Sequence, residues 1–112
     1  MLNFFKNKSI GSSNLKIDLI FQYHSRLSNA LVLYNLGSRS IYDITVKVST
    51  VEQNMFHFSL EHISSKIGEL IKLDDFKNDE DLPFWGEIDR VIISVHGQSF
   101  TFVCNENKFI RV

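Results

Sequence analysis

The 112-residue sequence contains one cysteine, one proline and one tryptophan, and it has no excess of either charge. Because Cys104 has no second cysteine to pair with, stability must come from an apolar interior. Twelve basic and thirteen acidic residues give a net charge of -1, which provides no field to hold nucleic acid. No apolar run approaches the roughly 18 residues of a membrane span. A disulfide scaffold is excluded, and neither a membrane span nor a nucleic-acid partner is expected.

The first residues of the chain, MLNFFKNKSIGSSN, are rich in asparagine, lysine and serine and show no periodicity. They also lack the continuous apolar stretch and the cleavage site of a secretory signal, which predicts a cytoplasmic protein. We interpret residues 1–14 as a mobile N-terminal arm and residues 15–112 as a single domain. An amphipathic arm that uses Phe4 and Phe5 to touch a membrane or a partner is the less favoured alternative.

Alternation of apolar and polar residues dominates the rest of the chain. In residues 15–23, LKIDLIFQY, every odd-numbered position is apolar or aromatic, which is the period of a half-buried strand. Residues 30–36 are apolar on both faces, as in a central strand that is covered on both sides. In residues 42–50, YDITVKVST, the apolar side chains return to alternate positions. We predict that the last two runs form a hairpin over residues 31–48, joined by a glycine-containing turn.

The second half of the chain completes the predicted sheets. Residues 56–60 alternate, and residues 60–73 fit either a helix or a loop followed by a strand. Because Gly68 and two serines weaken a helix, the loop and strand are favoured. Residues 90–104 predict a hairpin that bends at HGQ, and residues 105–112 add a turn and a closing strand. The chain is therefore predicted to be an all-β, antiparallel two-sheet sandwich of seven or eight strands, with one short helix as an open alternative.

Two segments resemble parts of a known fold family. In LVLYNLGSRSIYDITVKV, an apolar strand ends at Asn35, and Gly37 and a polar link lead into the next strand. This pattern is similar to the B to C corner of immunoglobulin-like sandwich domains common in bacterial proteins. Ile63 through IGELIKL, residues 63–73, is similar to a segment that often follows in such domains. The resemblance lacks the cysteine pair of antibody-type domains, and it implies a scaffold of bacterial or phage type with no catalytic residue.

The titratable residues form no recognisable catalytic or metal-binding motif. The chain has four histidines: His24, His57, His62 and His96. They lack zinc-ligand spacing, and the acidic residues lack the alternating order of a calcium loop. No nucleophile elbow, phosphate loop or dinucleotide fingerprint is present. Cys104 shares an alternating face with Phe100 and Phe102, which predicts a buried, unreactive thiol. We therefore expect no enzymatic activity, no metal and no cofactor.

The acidic segment, LDDFKNDEDLPFWGEID (residues 73–89), carries the strongest functional hint. Seven acidic residues and one lysine between positions 74 and 89 give a local charge of -6 in a chain of -1. Apolar side chains rimmed by carboxylates are typical of a surface that binds a basic protein partner. The alternative is that the aromatic residues fold back and close one end of the sandwich. The predicted partner-binding residues are Asp79, Glu80, Asp81, Phe84, Trp85 and Glu87.

The sequence thus predicts a non-catalytic protein-binding module, acting as an inhibitor or immunity-type protein or as an assembly adaptor. Exposed sheet edges are the second predicted contact surface. A carbohydrate-binding sandwich module is the alternative, because aromatic residues beside carboxylates also recognise saccharides. The single tryptophan argues against that alternative.

Overall fold

The computed structural model describes residues 15–22 and 29–112, which form a sandwich of two antiparallel β-sheets. The strands are β1 (Ile17–Gln22), β2 (Ala30–Asn35), β3 (Ile41–Thr50), β4 (Met55–Ile63), β5 (Gly68–Lys72), β6 (Ile88–Val95), β7 (Gln98–Asn105) and β8 (Lys108–Arg111). One sheet has the order β1, β2, β5, and the other has the order β4, β3, β6, β7, β8. The predicted all-β, two-sheet fold is confirmed, and the predicted arm, residues 1–14, lies outside the described residues.

The core lies between the sheets and is built from side chains at alternate strand positions. In β3, Val46 and Val48 are fully buried and Lys47 between them is exposed, because successive strand residues point to opposite faces. This confirms the predicted alternation of the strand. Each fully buried large apolar side chain contributes about 1.5–3 kcal/mol relative to exposure. The largest of them include Phe56, Phe76, Phe102, Leu31, Leu33, Ile41, Ile44, Ile63 and Ile93.

Strand β2 is the centre of the three-stranded sheet, and its side chains on both faces are mostly buried, as predicted. Leu31 and Leu33 face the core with no exposed surface, and Val32 on the opposite face is 8% exposed. Val32 lies between Ile20 of β1 and Leu70 of β5, its direct cross-strand neighbours. The outer face of this sheet therefore carries an apolar row across all three strands.

Tyr34 and Gly68 are cross-strand neighbours on the same outer face. A Cβ atom at position 68 would lie 2.5 Å from Cε1 of the Tyr34 ring, far inside van der Waals contact. The ring occupies the space that a side chain at position 68 would need. Glycine is thus required there for as long as the tyrosine keeps its position.

The predicted hairpin over residues 31–48 is wrong. Strand β2 pairs with β1 and β5, whereas β3 pairs with β4 and β6. Residues 36–40 carry the chain from one sheet to the other instead of turning it back. Alternation indicates which side chains face a core, but it does not indicate which strand lies alongside. At this coarse level, the two antiparallel sheets are consistent with an immunoglobulin-like sandwich.

Asn35, the last residue of β2, is 2% exposed and stabilises this crossing. Its Nδ2 donates to the carbonyl of Arg39 at 2.7 Å and to that of Ile63 at 3.0 Å. Its Oδ1 accepts from the backbone N–H of Gly37 at 3.0 Å. Its backbone N–H and carbonyl bond to residues 66–67, at 2.9 and 2.8 Å. The side-chain amide therefore satisfies backbone groups of residues 36–40 and of the end of β4, and the backbone of Asn35 adds two bonds to residues 66–67.

Residues 60–73 contain a strand end, a turn and a new strand. Strand β4 runs to Ile63, residues 64–67 form the turn, and β5 begins at Gly68. Lys66 in the turn has a φ of 64°. The favoured loop and strand are confirmed, and the helix is wrong. Within the described part of the chain, the helical element is the single 3-10 turn Leu73–Asp75.

The predicted hairpin of β6 and β7 and the closing strand β8 are confirmed. Each is closed by a two-residue turn with positive φ at both positions. The values are 53° and 76° for His96 and Gly97, and 53° and 63° for Glu106 and Asn107. Turns of this kind match the right-handed twist of the paired strands.

Replacing Asn35 with alanine should lower the free energy of unfolding by about 2–4 kcal/mol, because it leaves buried backbone groups without partners. Urea unfolding followed by circular dichroism measures this loss. The matched control is Asn105→Ala at an exposed position of β7, which should change stability by less than about 0.5 kcal/mol. Equal effects of the two substitutions would contradict the role of the Asn35 amide.

Candidate functional site: the acidic segment

Residues 73–87 of the acidic segment connect β5 in the three-stranded sheet to β6 in the five-stranded sheet. They lie at the end of the sandwich opposite Asn35. The turn between β3 and β4 lies at the same end, and the backbone N–H of Val51 in that turn donates to the carbonyl of Glu87 at 2.9 Å. The predicted site is therefore a long crossing between sheets with its own attachment points.

The backbone of the segment is attached to the free edge of β4. His57 and Lys77 exchange two hydrogen bonds, with N···O distances of 2.9 and 3.2 Å. Lys77 also forms a bridge to Pro83, and the N–H of Phe84 donates to the carbonyl of Phe76 at 3.1 Å. The segment thus folds back on itself and extends the five-stranded sheet at this edge.

The tip of the segment is closed by Asn78. Its Oδ1 accepts from the backbone N–H groups of Glu80 and Leu82, both at 2.9 Å. Its backbone N–H donates to the carbonyl of Leu82 at 2.9 Å, and its carbonyl accepts from the N–H of Asp81 at 3.0 Å. Asp79, Glu80 and Asp81 are all exposed. The tip therefore presents three carboxylates on a hydrogen-bonded turn.

Aromatic side chains attach the base of the segment to the core. Phe56 of β4 has no exposed surface, and the rings of Phe84 and Trp85 both meet it edge-on. The ring centroids lie 5.1 Å from Phe84 and 4.9 Å from Trp85, with interplanar angles of 65° and 81°. Phe84 is partly buried against the core, whereas Trp85 is 46% exposed. Phe84 thus closes the sandwich end, and about half of Trp85 stays accessible.

Four of the six predicted site residues line two different concave surfaces, whereas Glu80 and Trp85 line neither. Asp79 and Asp81 face a shallow groove beside β4, together with His57 and Lys77. Nε2 of His57 lies 3.7 Å from Oδ1 of Asp79. The groove is broad and open rather than enclosed.

The second concave surface is a cleft of about 440 Å³ at the end of the sandwich. Phe84 and Glu87 line it, together with Phe21, Cys104 and other residues. Glu87 is thus directed to a different surface from the carboxylates of the tip. Leu82, Pro83 and the partly buried Phe84 separate Trp85 from the exposed tip along the chain.

Sequence reasoning missed the residues that hold the segment in place. Nothing in the spacing of His57 and Lys77 indicates that they pair, because their bridge depends on the tertiary fold. Phe56 belongs to the alternating residues 56–60, but that pattern does not indicate its two aromatic partners. Asn78 had a usable signal, since asparagine side chains commonly bond backbone groups two residues ahead in turns.

His62 and His96 both lie beside Tyr42, whereas His57 lies at the edge of β4 next to Asp79. His62 stacks on Tyr42 with centroids 5.4 Å apart, and Nε2 of His96 lies 3.4 Å from the backbone N of Tyr42. Among the described residues, no three His, Cys, Asp or Glu side chains are arranged to hold a metal ion. His24 lies outside the described residues.

Cys104, which the sequence predicts to be buried, is partly buried and packs against the core beside the end cleft. Desolvation raises the pKa of its thiol above the ordinary value. A hydrogen bond with the backbone of Asn107 lowers that pKa, and the carboxylates of Glu87 and Asp89 raise it further. The thiol is held in its protonated, weakly nucleophilic form.

Comparison of the chain with protein-family models, with curated proteins and with solved structures finds no significant match. None of the helical structure in the described ranges has the length and apolar character needed to cross a membrane.

Replacing Asn78 with alanine should loosen the tip without unfolding the sandwich. The N–H groups of Glu80 and Leu82 lose their acceptor, so their hydrogen exchange should accelerate, while global stability falls by no more than about 1 kcal/mol. Hydrogen exchange followed by NMR measures both effects. Asn78→Asp keeps an acceptor oxygen and should leave the two amides protected; fast exchange in both variants would contradict this account.

Cys104 should react more slowly with iodoacetamide in the folded protein than in urea, because its raised pKa leaves less thiolate at a given pH. The midpoint of the rate against pH should lie above about 8.5, the value of a free thiol. Glu87→Gln should move the midpoint downward, since it removes a carboxylate that raises the pKa. Glu61→Gln, on β4, serves as a control and should not move it. A midpoint at or below the free-thiol value would refute the assignment.

Proposed function

We propose that this chain is a non-catalytic protein-binding module whose contact surface is the acidic segment. The observation that carries the proposal is the attachment of an exposed, half-accessible tryptophan and a carboxylate-rich tip to the rigid edge of a β-sandwich. Binding residues are commonly found on loops held by a rigid scaffold. The segment has this organisation, with hydrogen bonds to β4 and aromatic contacts to Phe56.

The backbone of the acidic segment is preorganised, which favours a binding role for it over that of a mobile, solvated loop. Ordering a mobile segment on binding costs conformational entropy, which reduces affinity. Here the turn at Asn78 and the bridge between His57 and Lys77 already define the backbone. Trp85 and Leu82 expose 46% and 47% of their surfaces, which leaves apolar area for a partner to cover. Half-buried tryptophan side chains of this kind are frequent energetic centres of interfaces.

Charge defines the chemistry of the proposed partner. The local charge of -6 between positions 74 and 89 attracts a basic protein surface and accelerates its association. Asp79, Glu80 and Asp81 are exposed, so their field is screened by salt. A partner that uses this field should bind more slowly and more weakly as ionic strength rises. Nucleic acid, which carries negative charge, is not proposed as a partner.

We propose an immunoglobulin-like module of bacterial or phage type that acts in the cytoplasm. An acidic surface suits an inhibitor or immunity-type protein that covers a basic active site, and an adaptor in a larger assembly is the other role. A carbohydrate-binding module has weaker support, because the one indole of the segment meets Phe56 edge-on and is half buried.

Trp85→Ala should abolish capture of the partner from lysate of the native host while the fold is retained. The substitution removes the exposed apolar centre, and the loss of its edge contact with Phe56 should cost about 1–2 kcal/mol of stability. Circular dichroism verifies folding. Tyr42→Ala is the matched control, since Tyr42 is a 53% exposed aromatic residue on β3, away from the segment, and it should keep the partner.

A salt series on the captured partner separates the two roles. A charge-steered inhibitor should lose affinity steeply with salt, and the triple variant Asp79→Asn, Glu80→Gln, Asp81→Asn should flatten that dependence. An adaptor that binds mainly through apolar contacts should show little dependence. Retention of the partner by folded Trp85→Ala would overturn the assignment of the surface.

A further inference from the structure

The four edge strands of the two sheets differ in how their backbone groups are protected. An unpaired edge is a template for pairing with another chain, and proteins normally block it. At the edge of β1, the carboxylate of Asp18 accepts from the outward-facing N–H of Leu19 at 2.8 Å. Strand β1 also lies against β8, the edge strand of the other sheet. These two edges therefore lie close together on one side of the sandwich.

The edge of β4 is occupied at both ends. His57 bonds to Lys77 in both directions, and the carbonyl of Ile63 accepts from Nδ2 of Asn35. In an antiparallel pair the N–H and C=O of one residue point to the same side. The outward residues of β4 are thus the odd-numbered ones, and among the described residues only the outward backbone groups of Ser59 and Glu61, between these two positions, have no backbone partner.

Strand β5 is the least protected edge. The carbonyl of Ile67 accepts from the N–H of Asn35 in β2, and the N–H of Leu73 donates to the carbonyl of Asn29, the residue before β2. The backbone groups of the odd-numbered residues therefore point toward β2, and those of the even-numbered residues point away. Gly68, Leu70 and Lys72 therefore direct their N–H and C=O groups outward, and no backbone partner for these groups is found among residues 15–22 and 29–112. All three are exposed, with Leu70 at 47%. All the outward backbone groups of β5 are therefore available to pair with another strand.

We propose that β5 pairs with β5 of a second copy of this chain, antiparallel and centred on Leu70, so that two three-stranded sheets become one six-stranded sheet. A two-fold axis at Leu70 makes the interface self-complementary, as in most homodimers. Gly68 of each copy then lies opposite Lys72 of the other, and the two leucines lie directly opposite each other. All outward groups of the three residues gain partners.

The distribution of charge favours this antiparallel pairing of the two β5 strands. The antiparallel register brings the Lys66 end of one strand to the end of the other strand that is followed by Asp74 and Asp75, and this occurs twice. It also places the two acidic segments at opposite ends of the joined sheet, which separates their charge. No like charges lie directly opposite each other within the paired strands, a condition that stabilises cross-strand pairs.

Apolar surface favours the same arrangement. Leu70 belongs to the outer-face row that it shares with Ile20 and Val32. In the dimer this row continues through the second leucine into the other copy. An acidic or strongly basic peptide in the same place would leave Leu70 facing a charged side chain. The second copy therefore fits both the backbone and the side chains of this edge.

Light scattering coupled to size exclusion tests the proposal on the full chain. Wild-type protein should approach twice the chain mass of 13.0 kDa as its concentration rises. Leu70→Lys and Leu70→Glu should each run as monomers, because each places two like charges opposite each other. An equimolar mixture of the two variants should restore the dimer. Ile20→Lys, at a position on the same face with 46% exposure, should remain dimeric.

A second measurement needs no substitution and decides the case if a variant does not fold. Hydrogen exchange of the Gly68, Leu70 and Lys72 amides in wild type should slow as concentration rises. A wild-type monomer at all concentrations, or a dimer unaffected by Leu70→Lys, would overturn the proposal. Trp85→Ala should leave the dimer intact, so failure of this inference and failure of the acidic surface can be told apart.

Discussion

The buried amide of Asn35 is the interaction on which the arrangement of the two sheets depends. The chain passes between sheets from β2 to β3 and again from β4 to β5, and both passages meet at this residue. Its side chain bonds to Arg39 and Ile63, and its backbone bonds to residues 66–67. A sandwich without disulfides must fix its sheets relative to each other by packing and by such bonds. Asn35 provides the polar part of that attachment.

The acidic segment is the third passage between sheets, and it lies at the opposite end. The connections from β2 to β3 and from β4 to β5 are short and lie at one end of the sandwich. The third connection is longer and runs from β5 past the edge of β4 to the start of β6. The extra length provides room for a turn and an exposed tryptophan. Phe56 limits that freedom, since Phe84 and Trp85 both rest on its buried ring. The connection that must join β5 to β6 thus also forms the preorganised surface of the acidic segment.

Most strands could be predicted from sequence, because burial of one face imposes a period of two. The relation between strands could not. Residues 31–48 have the pattern of a hairpin, yet β2 and β3 lie in different sheets. The side chain of Asn35 bonds the connection between them to the end of β4. The bridge between His57 and Lys77 could not be predicted from the sequence either, since it depends on where residues 73–87 contact β4. The composition of the candidate site could be predicted, and its attachment to the sandwich could not.

The contact of Tyr34 with Gly68 links two positions that are far apart in the sequence. A side chain at position 68 would collide with the tyrosine ring, so the two residues are constrained as a pair rather than singly. In related sequences, a larger residue at position 68 should occur only together with a smaller one at position 34. Position 68 could then hold a residue with a higher β-strand propensity than glycine, which would strengthen the edge strand. Covariation between these two columns would be the evolutionary trace of the contact.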